Sequence, residues 1–186
     1  MSQAQRWIIE RIKPGDIVVD ATAGNGADTL FLAQLAGAEG KVYAFDIQSS
    51  AIENTRQRLN SVSETEGLAP VDLLHTSHEN MASGIPVEHH GQISVIMFNL
   101  GYLPGASHDI ITKSSTTLSA LKTAVLLLRS GGLLTIVVYP GHEGGDQEAN
   151  AVYAWASDIS PSLAQTIVYR FPQKPTAPYL IALIKS

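Results

Sequence analysis

The chain has 186 residues, of which 45% are hydrophobic and 16% charged, with a net charge of −5 and no cysteine. Length and balance suit a single folded domain over residues 1–186 with a core of its own, and exclude a disordered chain. The missing thiols exclude disulfides, thiolate nucleophiles and cysteine-ligated zinc or iron–sulfur centres; the acidic balance speaks against a broad, non-specific nucleic-acid surface; and no apolar run approaches the about 18 residues of a membrane helix.

The first residues, Met1 to Trp7, lack a signal-peptide pattern, so a cytoplasmic protein without membrane contact is expected. Residues 3–13 read as a helix with Trp7, Ile8 and Ile12 on its apolar face, ended by Pro14-Gly15. A strand follows at 17–20, then a small-residue turn, then a helix over 28–35 with Leu30, Phe31 and Leu35 on or near its buried side. Residues 41–46 form a second strand whose apolar residues occupy both parities, as in a strand covered on both faces. Ser49 or Ser50 can cap a helix running to about Leu59.

A polar connection leads to a third strand at 71–74, a short helix or structured loop at 76–83 and a surface turn at 86–91. The nearly continuous apolar run 93–98 reads as a central parallel strand. A helix capped within 114–117 runs to about Leu128 and is ended by Gly131-Gly132, and 133–138 is another apolar strand. After a helix at 146–157, segments 163–171 and 179–184 are joined by a Pro-rich turn without a helix and must be antiparallel. The order predicts an α/β fold of Rossmann-like type, an open, mostly parallel sheet with helices on both faces.

Ligands of such sheets lie beyond the carboxyl ends of the strands. Four informative clusters fall there: 20–29, 46–48, 99–104 and 139–145. The turn Gly24-Asn25-Gly26 lets a ligand approach bare backbone at a helix N-terminus. Asp46 can accept hydrogen bonds from both hydroxyls of an adenosine ribose, present in NAD and in S-adenosyl-L-methionine alike, or can simply cap the next helix. The turn lacks the third glycine of a dinucleotide fingerprint. Asp20 and Asp28 bracket it, and carboxylates suit the ammonium of a methionine moiety better than a pyrophosphate. These features favour S-adenosyl-L-methionine over NAD.

Asn99-Leu100-Gly101-Tyr102 is similar to the Asn/Asp-Pro-Pro-Tyr/Phe motif of methyltransferases that act on exocyclic amines. There the Asn carbonyl and a backbone carbonyl accept the two N–H bonds of the amine, while the aromatic ring stacks on the substrate. Methyl transfer is an in-line displacement, so alignment supplies much of the catalysis. Leu100-Gly101 in place of Pro-Pro leaves the loop shape open, with an ordinary turn as the alternative.

The resemblance extends further. The runs 20–29, Asp46-Ile47-Gln48, His75-x-x-His78-x-Asn80-Met81, 99–104 and Tyr139-Pro140-Gly141-His142-x-Gly144-Gly145-x-x-Glu148 resemble together the bacterial "putative rRNA methylase" family of class I methyltransferases. That family includes the Gram-positive enzyme for 5-aminomethyl-2-thiouridine at the tRNA wobble position. The resemblance covers essentially the whole chain. It implies a seven-stranded sheet with an antiparallel last strand, S-adenosyl-L-methionine as cofactor and methylation of an amine on tRNA.

The expected cofactor contacts are Asp20, Gly24, Asn25, Gly26, Asp28, Thr29, Asp46, Gln48, His78 and Asn99. Asn99, Tyr102 and His142 are the expected acceptor-handling residues, His142 orienting substrate or taking a proton. Glu148 can hydrogen-bond His142 or face solvent. His75 and His78 have a spacing that fits metal, but no third ligand is evident and no metal is expected. Ser107, His108 and Lys113 can border a substrate channel, and Lys113, Lys122, Arg129, Arg170 and Lys174 can reach phosphates. RNA recognition is left to the domain surface or to a homodimer pooling two modest basic patches. The alternatives are an rRNA or small-molecule amine methyltransferase and, of another class, a nucleotide-binding oxidoreductase or a non-catalytic cofactor-binding protein.

Overall fold

The computed structural model describes residues 2–62, 67–101, 114–141, 145–174 and 176–186. Seven strands form one sheet: β1 (Ile17–Asp20), β2 (Lys41–Asp46), β3 (Val71–His75), β4 (Ile93–Asn99), β5 (Leu128–Val138), β6 (Ala164–Tyr169) and β7 (Tyr179–Lys185). Their spatial order is β3-β2-β1-β4-β5-β7-β6. β1 to β5 run parallel, and β7 is antiparallel to both β5 and β6. The chain moves outward from β1 to β3 and then returns to the other side of β1 with β4. The strand order therefore reverses between β1 and β4, and the crevice at their carboxyl ends is where such sheets take ligands.

The helices are α1 (Gln3–Ile9), α2 (Ala27–Ala36), α3 (Ser49–Asn60), the short α4 (Met81–Gly84), α5 (Ser114–Leu127) and α6 (Gly145–Ser157). Successive strand residues point to opposite faces, which divides the core in two. Val18, Val42, Val95 and Met97 pack with Ile8 of α1 and Leu32, Ala33 and Ala36 of α2. Val19, Phe45, Ile96 and Phe98 pack on the other face with Leu121 and Val125 of α5 and Val152 of α6. No helix among the described residues is long and apolar enough to cross a membrane.

Several boundaries depart from the sequence reading. α1 stops at Ile9, although Ile12 still packs into the core beyond it. The buried stripe of α2 is Thr29, Leu32, Ala33 and Ala36; Phe31 and Leu35 are partly buried and pack against the same core, and Leu30 is half-exposed, on a helix that starts at Ala27 from a left-handed Gly26. α3 begins after Gln48 without a side-chain cap, so neither Ser49 nor Ser50 caps it; the Asp46 carboxylate accepts the Gln48 N–H instead. β5 begins at Leu128, before Gly131-Gly132, because Leu128 already pairs with Ile93. The glycines form an irregularity within the strand, and a Cβ on Gly132 would meet the Arg129 carbonyl oxygen at 2.8 Å.

Candidate active site

Beyond β1 the chain straddles the two flanking strands. Ala21 N–H donates to the Met97 carbonyl at 2.8 Å and Ala23 N–H to the Phe45 carbonyl at 2.9 Å, which opens the crevice at the reversal point. Gly24 and Gly26 both have positive φ, 55° and 76°, which glycine adopts without the steric cost of a side chain. At Gly26 the packing also demands it: a Cβ would lie 2.7 Å from Thr55 Cα. α3 fastens the outer side of the turn, with Thr55 Oγ1 donating to the Gly24 carbonyl at 3.2 Å and Arg58 Nε to the Asn25 carbonyl at 2.6 Å.

Asp46, at the end of β2, holds the inner side. Its Oδ2 accepts the Gly24 N–H and its Oδ1 the Gln48 N–H, each at 2.9 Å. The carboxylate is thus fixed in orientation, and each oxygen retains a further lone pair for a ligand hydroxyl.

Three residues expected against the cofactor support the turn from elsewhere. Asp20 is 0% exposed; it accepts from Thr29 Oγ1 at 2.6 Å and from the Thr22 N–H at 3.1 Å. Thr29 is buried with it. Burial pushes the Asp20 carboxyl up to about 7, against the lowering effect of those two hydrogen bonds and with the help of the nearby Asp28 and Asp46 charges. Asn25 turns toward α3, where its Oδ1 accepts from Asn54 Nδ2 at 3.2 Å. These residues shape the turn rather than line its open side.

Asn99 arrives from the end of β4. Its backbone N–H donates to Thr22 Oγ1 at 2.8 Å, and its Nδ2 donates to Asp28 Oδ2 at 2.9 Å. The other Asp28 oxygen accepts from Gln5 Nε2 of α1 at 2.9 Å. A carboxylate only accepts, so it selects the NH₂ end of the amide and sets the carbonyl end of Asn99 on the other side. Sequence reasoning missed Gln5 and Thr22. Ser2-x-x-Gln5 is legible as a capping box, and it forms, but nothing in it announces the reach to Asp28.

The departure from Pro-Pro has a physical reading. Leu100 is buried among core residues and its N–H donates to the Val137 carbonyl at 2.9 Å, tying the loop to β5. Gly101 has φ 148°, and a Cβ there would contact the Tyr139 side chain at 3.7 Å.

His78, at the start of a short 3-10 turn, is only 8% exposed. Its ring meets Phe98 edge-on at 5.5 Å between centroids, and burial lowers its pKa, opposed chiefly by the Glu148 charge and a hydrogen bond with the Ala21 backbone. His75 is exposed and pairs its Nε2 with the Ile47 carbonyl at 3.0 Å, so the two histidines serve different places. Among the described residues no group of three acidic or histidine side chains is placed to hold a metal. Glu148 does not face solvent: it is buried and accepts from Thr117 Oγ1 at 2.7 Å, linking α6 to α5. Arg129 lies at the opposite edge of the sheet, paired with Asp16 at 2.9 and 3.1 Å, which removes it as a phosphate contact near the site. Arg170 sits 5.7 Å from the Tyr179 ring centroid, and Lys122 and Lys174 are exposed. Tyr102, His142, Ser107, His108 and Lys113 lie outside the described residues.

A seven-stranded sheet of this order with β7 reversed, a glycine turn at the reversal point and an acid ending β2 define a class I methyltransferase fold. A family model described as "Putative rRNA methylase" matches residues 42–185, and the chain belongs to that family. The crystal structure of a putative rRNA-methylase from Clostridium thermocellum is 37% identical, with a TM-score of 0.91 over 99% of this chain and 96% of that one. A putative methyltransferase from Streptococcus mutans, solved in complex with SAH, is 34% identical, with a TM-score of 0.84 over 98% of this chain and 96% of that one. The chloroplastic tRNA (mnm(5)s(2)U34)-methyltransferase of Arabidopsis thaliana is 40% identical over 179 residues, 94% of this chain. The chain spans 65% of the length of that relative.

Proposed function

We propose that this protein is an S-adenosyl-L-methionine-dependent N-methyltransferase of RNA, and that its acceptor is the amine of 5-aminomethyl-2-thiouridine at the wobble position of tRNA. The observation that carries the reading is the Asn99 amide, oriented by Asp28 beside the glycine turn at the strand-order reversal. Support for the acceptor comes from the name of the Arabidopsis thaliana relative, and support for the cofactor from the SAH complex of the Streptococcus mutans one.

The residues present fit such a cofactor. Gly24 and Gly26, both at positive φ, form a tight turn of bare backbone, Asp46 offers a fixed carboxylate to a ribose diol, Gln48 adjoins it, and Asp28 offers negative charge to an ammonium. His78 is buried against Phe98, and burial lowers its pKa. When bound, S-adenosyl-L-methionine supplies an electrophilic methyl group on a positively charged sulfur. The chain's own task is alignment. The Asn99 carbonyl accepts an N–H of the neutral substrate amine, which holds the nitrogen lone pair in line. Tyr102 stacks on the planar base, and His142 takes up the proton that the amine sheds.

Nucleoside mass spectrometry of tRNA from a strain lacking the gene tests the reading. Accumulation of unmethylated 5-aminomethyl-2-thiouridine is the expected result. An unchanged tRNA profile overturns it, and a lost methyl in rRNA would move the same chemistry to another acceptor.

A further inference from the structure

The N-terminal helix reaches the reacting centre through one side chain. Gln5 lies on α1 and is half-buried, and its two ends do different work. Its Oε1 accepts the Ser2 N–H at 3.0 Å, while Ser2 Oγ accepts the Gln5 N–H at 3.2 Å, so together they cap α1. Its Nε2 donates to Asp28 Oδ1 at 2.9 Å, across 23 positions of sequence. Asp28 Oδ2 in turn accepts from Asn99 Nδ2 at 2.9 Å. Three side chains from three elements are therefore joined in a line, and the middle one is a carboxylate whose two oxygens are each claimed by an amide N–H.

We infer that Gln5 is a positioning residue for methyl transfer: it fixes the Asp28 carboxylate, which fixes the Asn99 amide, and so makes α1 part of the active site. The inference rests on the proposed role of Asn99. The chemistry of the line is directional. Asp28 can only accept, so both neighbours must present N–H groups to it. Holding one oxygen with Gln5 leaves the other to Asn99 in a single geometry. Without that restraint the carboxylate can rotate and carry the amide with it, and a misplacement of about 1 Å at a reacting centre is worth roughly a hundredfold in rate. Gln5 touches neither substrate nor cofactor in this scheme and acts only through Asp28.

The two duties of Gln5 can be separated by substitution. Gln5→Glu keeps an acceptor for the Ser2 N–H, since Ser-x-x-Glu is itself a capping box, but replaces the donor to Asp28 by a second carboxylate. Ser2→Ala removes the cap and leaves the Gln5–Asp28 bond. The test combines thermal unfolding, steady-state kinetics on tRNA and the side-chain amide signals of Asn99 in ¹⁵N spectra, assigned by their loss in Asn99→Ala. The expected result for Gln5→Glu is a modestly lower melting temperature, from two carboxylates set side by side, shifted Asn99 Nδ2 signals and a kcat lowered roughly tenfold or more with KM for tRNA little changed. The expected result for Ser2→Ala is a lower melting temperature with the Asn99 signals and kcat of the wild type. Unmoved Asn99 signals in Gln5→Glu overturn the inference whatever the activity, as does a wild-type kcat. Shifted signals in a protein whose wild type methylates no RNA uphold the Gln5–Asp28–Asn99 linkage and refute the proposed function instead.

Discussion

The two edges of the sheet treat their charges in opposite ways. At the amino ends of the strands carboxylates meet cations: Asp16 is gripped by Arg129 through both oxygens, and Asp72 pairs with Lys41 at 2.6 Å. At the carboxyl ends Asp20, Asp28 and Asp46 are held by a threonine hydroxyl, amide side chains and backbone N–H groups, and no ion pair among the described residues reaches them. One edge is finished by its own residues. The other sets Asp28 and Asp46 beside the crevice, with Asp20 buried beneath them, and orders them with neutral donors, an arrangement whose electrostatic complement is a ligand bearing positive charge. The cationic sulfur and ammonium of the proposed cofactor match that need, and a pyrophosphate would oppose it.

Substitutions at the two edges should therefore read out differently, and Asn99→Ala should do so most strongly. It removes the acceptor for the amine while leaving the glycine turn intact, so methyl transfer should fall about a hundredfold or more while cofactor affinity changes far less. Single-turnover transfer and calorimetry check the two halves of that statement. Asp46→Ala comes next: it removes the proposed ribose acceptor and both backbone anchors of the turn, and should weaken cofactor binding by about tenfold to a hundredfold, roughly 2 kcal/mol in a titration.

Asp20→Asn tests the buried end of the same edge. The folded-state pKa of Asp20, about 7, stands above its ordinary 3.8. The unfolded chain therefore releases this proton first as pH rises. Stability contributed by protonated Asp20 is complete below about pH 4 and is lost progressively up to about pH 7. Asparagine keeps the shape without titrating, so the variant should lose that slope and gain about 1–3 kcal/mol at pH 7 relative to the wild type, measured by denaturant unfolding from pH 4 to 8. Arg129→Ala, at the finished edge, should cost only about 1 kcal/mol because Arg129 is 39% exposed, and should leave kcat untouched. A loss of activity there would erase the distinction between the edges.

Much of this was legible before the fold was. Apolar runs at 17–20, 41–46 and 93–98 and the glycine turn placed the strands and the crevice, and the absence of a helix before β7 gave its reversed direction. What failed was local. Gly131-Gly132 reads as a helix stop, and α5 does stop, but β4 offers pairing partners early enough that β5 starts before the glycines. Asp20 and Asp28 look equivalent as brackets of the turn, yet the strand register buries one and leaves the other half-exposed. Periodicity does not tell a carboxylate under a turn from one beside it. Gln5 is visible as a cap and invisible as a partner of Asp28, because that contact depends on how α1 lies across the sheet.

The most direct test is methyl transfer by the purified protein to tRNA carrying 5-aminomethyl-2-thiouridine, followed by nucleoside mass spectrometry. The expected product carries one methyl group from S-adenosyl-L-methionine on the side-chain amine nitrogen. Saturable binding of NAD(H) with no binding of S-adenosyl-L-methionine and no methylated nucleoside would contradict the proposed function.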